Sequence, residues 1–133
     1  MNPKPHHLAL KVRDLERCEH FYANVLGLES KERLRATNGT LRSVWFDLGG
    51  MILMLERCAS PDTAEASPGA AYPERPGWHL LALTVAPDSR ADWRERLRRA
   101  GVTITGESDW SIYFRDPEGN RLALCHYPEQ APP

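Results

Sequence analysis

The period of apolar and polar positions changes several times along this chain, and each change marks a predicted element. Residues 8–12 form a short stretch rich enough in Leu and Val for a buried strand. Beyond Asp14, apolar residues Leu15, Cys18, Phe21, Tyr22, Val25 and Leu26 recur at the spacing of one helix face. Asp14 can cap that helix by accepting a backbone N–H, and Gly27 can close it in a left-handed conformation. Three strands are predicted next, around 28–34, 41–48 and 51–57, divided by the hairpin signals Asn38-Gly39 and Gly49-Gly50. This part reads β-α-β-β-β.

From 59 to 77 the pattern gives way to Pro, Ala, Ser, Glu and Gly, a composition without a core-facing stripe. The length suits either a crossover linker or a flap over a binding site, and the sequence leaves both open. The pattern then starts again with a strand over 80–85. A helix follows, capped by Asp88 or Ser89, with Trp93, Leu97 and Ala100 on one face and Gly101 at its end. Strands are predicted near 102–106, 110–114 and 121–125. The segment Asp116-Pro117-Glu118-Gly119-Asn120 makes the last turn, with Pro117 presetting φ and Gly119 supplying positive φ.

The two halves echo each other. Leu-Ala-Leu-x-Val at 8–12 returns at 81–85, an offset of 73 residues, and Gly27 is followed by Gly101 at an offset of 74. The expectation is an α+β fold of two tandem βαβββ modules, module 1 over 5–58 and module 2 over 78–128, joined by 59–77 into one domain spanning 1–133.

Composition narrows the function classes. Seventeen Lys and Arg against eighteen Asp and Glu give a net charge of −1, so neither nucleic acid nor an anionic membrane is indicated as a partner. Arg90, Arg94, Arg96, Arg98 and Arg99 are interleaved with Asp92 and Glu95, which reads as a solvated helix face. Three scattered cysteines without a CxxC pair fit a reducing cytoplasm. The first residues lack a signal peptide's apolar run, and no segment approaches the roughly 18 apolar residues of a membrane span.

The doubled unit comes with specific local wording. It includes His7-Leu8-Ala9-Leu10-x-Val12-x-Asp14-Leu15, then Phe21-Tyr22-x-x-Val25-Leu26-Gly27-Leu28, and finally Phe114-Arg115-Asp116-Pro117-Glu118-Gly119-Asn120. Over nearly the whole chain this resembles the vicinal oxygen chelate superfamily of glyoxalase I, extradiol dioxygenases, and fosfomycin and bleomycin resistance proteins. The resemblance implies sheets curled into a cup with helices outside, and a homodimer, in some members with units exchanged between chains. In metal-dependent members it implies a divalent ion held by a His on the first strand and a Glu on the last strand of the first unit. A His or Gln opening the second unit and a Glu on the final strand complete the set, which suits Ni, Zn, Fe or Mn.

Position by position, this chain keeps His7 of that set. The other three positions fall on Met54, Leu80 and Ala123. Methionine is a poor ligand for hard or borderline ions, and Leu and Ala cannot ligate. An irregular metal site of His7, Glu56 and His79 would need a displaced ligand at Glu56 and a β-bulge turning His79 inward. Glu56 is also a candidate general base if apolar neighbours surround it.

By strand alternation, Lys11, Met54, Leu80, Arg121 and Ala123 line the cup beside His7, with Trp45, Trp110 and Phe114 as candidate walls. An apolar lining with a few polar anchors is the usual form of a small-molecule site. The leading expectation is a metal-free protein of glyoxalase or bleomycin-resistance type, with no cofactor, binding an apolar or aromatic small molecule. The rival is a metal-dependent lyase, isomerase or dioxygenase around His7 and Glu56. A third is an interaction module whose cup is filled by its own side chains.

Overall fold

Strict alternation of side chains about two four-stranded sheets accounts for most of the fold. The computed structural model describes residues 6–58 and 80–133. The chain divides into two compact units, Met1–Glu65 and Ala66–Pro133. The expected linker or flap over 59–77 lies outside the described residues, as does His79.

The first unit runs β1 (His7–Val12), α1 (Leu15–His20), β2 (Glu29–Arg35), β3 (Leu41–Asp47) and β4 (Ile52–Arg57). Its sheet has the order β1-β4-β3-β2, with β1 parallel to β4 and the other pairs antiparallel. The register sets Leu8 beside Leu53 and Leu10 beside Leu55, with Val44 and Phe46 next to them on β3. Leu53, Leu55, Val44 and Phe46 are fully buried on the face that meets α1, together with Leu15, Cys18 and Tyr22. Burial of each such side chain contributes roughly 1.5–3 kcal/mol.

Asp14 caps α1 as expected, its carboxylate accepting the Arg17 N–H at 3.1 Å. The helix does not continue as regular α through Leu26. It widens into a π-helical turn over Phe21–Val25, and Gly27 then closes it at φ 75°. The wider turn buries the adjacent Phe21 and Tyr22 together, edge to face with ring centroids 5.3 Å apart.

The second unit repeats the plan with β5 (Leu81–Thr84), α2 (Arg90–Arg99), β6 (Gly106–Glu107), β7 (Ser111–Arg115) and β8 (Arg121–Cys125). The sheet order is β5-β8-β7-β6, with β5 parallel to β8. Three expectations are corrected here. Neither Asp88 nor Ser89 caps α2 through its side chain, because Pro87 starts a tight 3₁₀ turn over Pro87–Ser89. That turn brings the Ala86 carbonyl back to the Ser89 hydroxyl, which donates to it at 2.6 Å. The strand expected over 102–106 shrinks to the two residues of β6, led in by a single Thr105 N–H to Tyr113 carbonyl bond of 2.8 Å. Of the expected helix stripe only Leu97 is buried, and Ala100 is exposed.

The helices are tied to their own sheets by charges of opposite sign. In the first unit acidic helix residues meet basic strand residues: Glu19 takes Arg33 with two bonds of 2.6 and 3.1 Å, and Glu16 takes Arg57 at 2.5 Å. In the second unit basic helix residues Arg90 and Arg94 meet Glu107 of β6 at 3.2 and 2.7 Å. The hydrogen bond from Arg94, with a smaller contribution from Arg90, holds the Glu107 carboxyl below its ordinary range. Asp116, nearly fully buried, orders the last turn by accepting the Glu118 and Asn120 N–H groups, each at 2.9 Å. No helix among the described residues is long and apolar enough to cross a membrane.

Candidate functional site

The sheet face turned away from α1 carries the candidate site of the first unit. The pairing arranges it in rows across the strands. The first row is Leu34, Ser43, Glu56 and Lys11. The second is Glu32, Trp45, Met54 and Ala9, and the third is Glu29, Asp47, Ile52 and His7. Each step across a row is one strand spacing of about 4.8 Å, and successive rows lie about 6.6 Å apart.

A groove of about 400 Å³ opens on this face, at the lower end of the roughly 300–1,000 Å³ usual for small-molecule pockets. Lys11, Leu34, Leu41, Ser43, Trp45 and Glu56 are among its lining. Lys11 Nζ lies 3.2 Å from Glu56 Oε2, with the two side chains 67% and 33% exposed. A pair this accessible contributes no more than about 1 kcal/mol, so a ligand can compete for either partner. The Trp45 indole N–H donates to Ser43 Oγ at 2.8 Å, which fixes the ring against β3.

The same register decides how the candidate metal ligands of the first unit stand to one another. His7 is paired with Ile52 and Glu56 with Lys11, four positions apart along β4, or about 13 Å at the rise of a strand. At that backbone separation only side chains extended toward each other could bring both ligand atoms within about 2.0–2.2 Å of one ion. Met54 stands between them on the same face, and the His7 ring instead meets His6, Nδ1 to Nδ1 at 2.8 Å. Among the described residues no three His, Cys, Asp or Glu side chains come close enough to hold an ion. As placed, the His7 ring is turned to His6 and the Glu56 carboxylate to Lys11. From Leu81 onward β5 pairs with β8 without a register shift.

In the second unit the corresponding face carries Ala82, Thr84, Tyr113, Arg115, Arg121, Ala123 and Cys125, with Leu80 just before β5. The Arg121 guanidinium lies over the Tyr113 ring, 4.7 Å from its centroid. Phe114 is corrected: it pairs with Leu122, is fully buried, and belongs to the core rather than to a site wall. The one-residue alternation of β7 puts Tyr113, not Phe114, on the open face. Trp110 precedes β7 and packs edge-on against Tyr127, centroids 5.1 Å apart, so it supports the C-terminal segment.

Ser43 and Tyr113 were not singled out from sequence, although alternation places Ser43 beside Trp45 and Tyr113 beside Ala123. His126 is buried with its Nε2 2.9 Å from Arg90 and its Nδ1 2.6 Å from the Glu129 carbonyl. No local motif signals that contact, because Arg90 lies 36 positions away.

Residues 4–124 match the model of the Glyoxalase/Bleomycin resistance protein/Dioxygenase superfamily. The chain belongs to this superfamily. It is 32% identical over 123 residues to glutathione transferase FosA of Serratia marcescens, covering 89% of this chain and 77% of that protein. A glyoxalase/dioxygenase from Nostoc punctiforme shares the fold at a TM-score of 0.76 and 23% identity, covering 95% of this chain and 92% of that one. A mutant of the fosfomycin resistance protein FosX from Listeria monocytogenes, complexed with Mn(II) and 1S,2S-dihydroxypropylphosphonic acid, does so at 0.71 and 21%. The two chains are covered over 94% and 93%. Superfamily membership thus accounts for the two four-stranded sheets.

Proposed function

We propose that this chain is a small-molecule binding protein of the superfamily that takes a largely apolar or aromatic ligand in the groove of its first unit without using a metal. The observation that carries the reading is the open-face row of Trp45, Met54 and Ala9 beside the row of Ser43, Glu56 and Lys11. An aromatic wall and a few polar anchors occupy the face where a metal-dependent relative would need converging imidazole and carboxylate. The groove also favours a binder over an interaction module with a closed cup. We read the protein as a cytoplasmic homodimer, which analytical ultracentrifugation tests directly.

A second reading is favoured by the 32% identity to FosA, a transferase: a metal-dependent lyase, isomerase or dioxygenase with His7 as ligand and Glu56 as ligand or base. The two part under one experiment. Thermal unfolding is followed in EDTA with a panel of small aromatic compounds, and metal content is measured on protein purified without chelator. The binder is stabilised in EDTA, by about 2.7 kcal/mol when a compound is present at 100 times its Kd, and loses that response in Trp45→Ala. Stoichiometric metal that disappears in His7→Ala, with no stabilisation by any compound in EDTA, would establish the enzyme instead.

A further inference from the structure

The groove's unspent hydrogen-bonding capacity and charge narrow the ligand class, on the footing of the small-molecule reading above. Ser43 is only 3% exposed, and its Oγ accepts from the Trp45 N–H. A hydroxyl has a proton to give as well. It donates to no group among the described residues, so a buried donor on the groove lining is left for a ligand. With its N–H committed to Ser43, Trp45 offers only ring surface, and Leu34 and Leu41 add apolar side chains to the same lining.

The charges of the lining point the same way. Three cations, Lys11, Arg42 and Arg57, share it with a single carboxylate, Glu56. Arg57 is engaged elsewhere, by Glu16 and by the Leu41 carbonyl at 2.9 Å. Glu56 offsets Lys11 at 3.2 Å, and Lys11 keeps two N–H donors. That leaves Arg42, which makes no hydrogen bond or ion pair among the described residues, as a cation in excess. Lys11, Glu56 and Ser43 stand in one row across adjacent strands, so both donors flank the same carboxylate.

We propose that the groove is selective for a small aromatic anion. Its ring lies on Trp45, and its anionic group is received by the donors of the Ser43–Glu56–Lys11 row with Arg42 supplying the balancing charge. Glu56 acts here as a competitor that holds Lys11 in place and weakens the anion's hold, not as a base.

The test is isothermal titration of the full, EDTA-treated chain with three naphthalenes of one shape: 2-naphthoate, 2-naphthalenemethanol and 2-naphthylmethylammonium. Naphthoate is expected to bind about tenfold more tightly than the alcohol, with the ammonium weakest, since a charged hydrogen bond carries about 1.5–3 kcal/mol. Lys11→Met lowers naphthoate affinity about tenfold and leaves the alcohol within about twofold. Glu56→Gln raises naphthoate affinity about threefold by releasing Lys11, a change a general base or metal ligand would not produce. Both substituted side chains are at least a third exposed, so folding is preserved. Equal affinity for the three probes, or preference for the ammonium, overturns the anion assignment while leaving the small-molecule reading intact. Failure of all three to bind overturns both.

Discussion

The two units use one backbone plan and put different chemistry on it. Lys11, Glu56, Ser43 and Trp45 of the first unit correspond by register to Thr84, Cys125, Ser111 and Tyr113 of the second. Both serines stay buried at 3% and 6% exposure, and both aromatic positions stay aromatic, but the ion pair appears on one side only. The ties between helix and sheet even reverse sign, acidic to basic in the first unit and basic to acidic in the second. The frame therefore depends on apolar alternation, on the glycine closures at Gly27 and Gly101, and on strand pairing. The open faces are free to change, and with them the chemistry.

The largest effect is expected at β7, where neighbouring aromatics lie on opposite faces. Phe114→Ala should cost about 3–5 kcal/mol in chemical denaturation, because it empties a fully buried core position. Tyr113→Ala should cost no more than about 1 kcal/mol, the scale of its contact with Arg121. Similar costs at the two positions would mean that the faces are misassigned.

The next effect concerns the reversed ties. Arg90 is 13% exposed and donates to Glu107 and to the carbonyls of Ser108, Ser111 and Asp109. Arg90→Met should therefore cost about 2–4 kcal/mol, measured by urea titration, by stranding these acceptors and His126. Arg33→Met, at a side chain 46% exposed, should cost under about 1 kcal/mol despite its two bonds to Glu19.

A smaller effect distinguishes the units by pH. The folded Glu107 carboxyl is held below its ordinary value of 4.5 by Arg94 first and Arg90 second. A carboxylate depressed in the folded state stabilises above the unfolded value and loses that contribution as pH falls through the folded one. Wild type should exceed Glu107→Gln in stability at pH 6, and the two should converge as the pH is lowered below about 4.5. A gap that widens on acidification would refute the assignment.

Much of the frame was legible because it follows from local patterns. The 73-residue echo, the Asp14 cap and the Asp116 turn each depend on a few adjacent residues. The π-helical turn at Phe21–Val25 was not legible, since both helix types present nearly the same apolar spacing. Alternation placed Lys11, Met54 and Glu56 on one face, but their rows depend on hairpin register, which Gly49-Gly50 alone does not specify. That is why Ser43 was overlooked, and why the distance between His7 and Glu56 emerged only from the pairing of β1 with β4. Phe114 was misread because its face is set by the pairing of β7 with β8, which puts it beside Leu122 and puts Tyr113 beside Ala123.

The central claim is that the first unit binds a small aromatic molecule without a metal, through Trp45 and not through its counterpart Tyr113. The direct measurement is the affinity for 2-naphthoate in EDTA and in excess Mn(II), for wild type, Trp45→Ala and Tyr113→Ala. The expected result is equal affinity with and without metal, loss of binding in Trp45→Ala, and wild-type affinity in Tyr113→Ala. Binding abolished by EDTA and restored by Mn(II), or unaffected by Trp45→Ala, would contradict it.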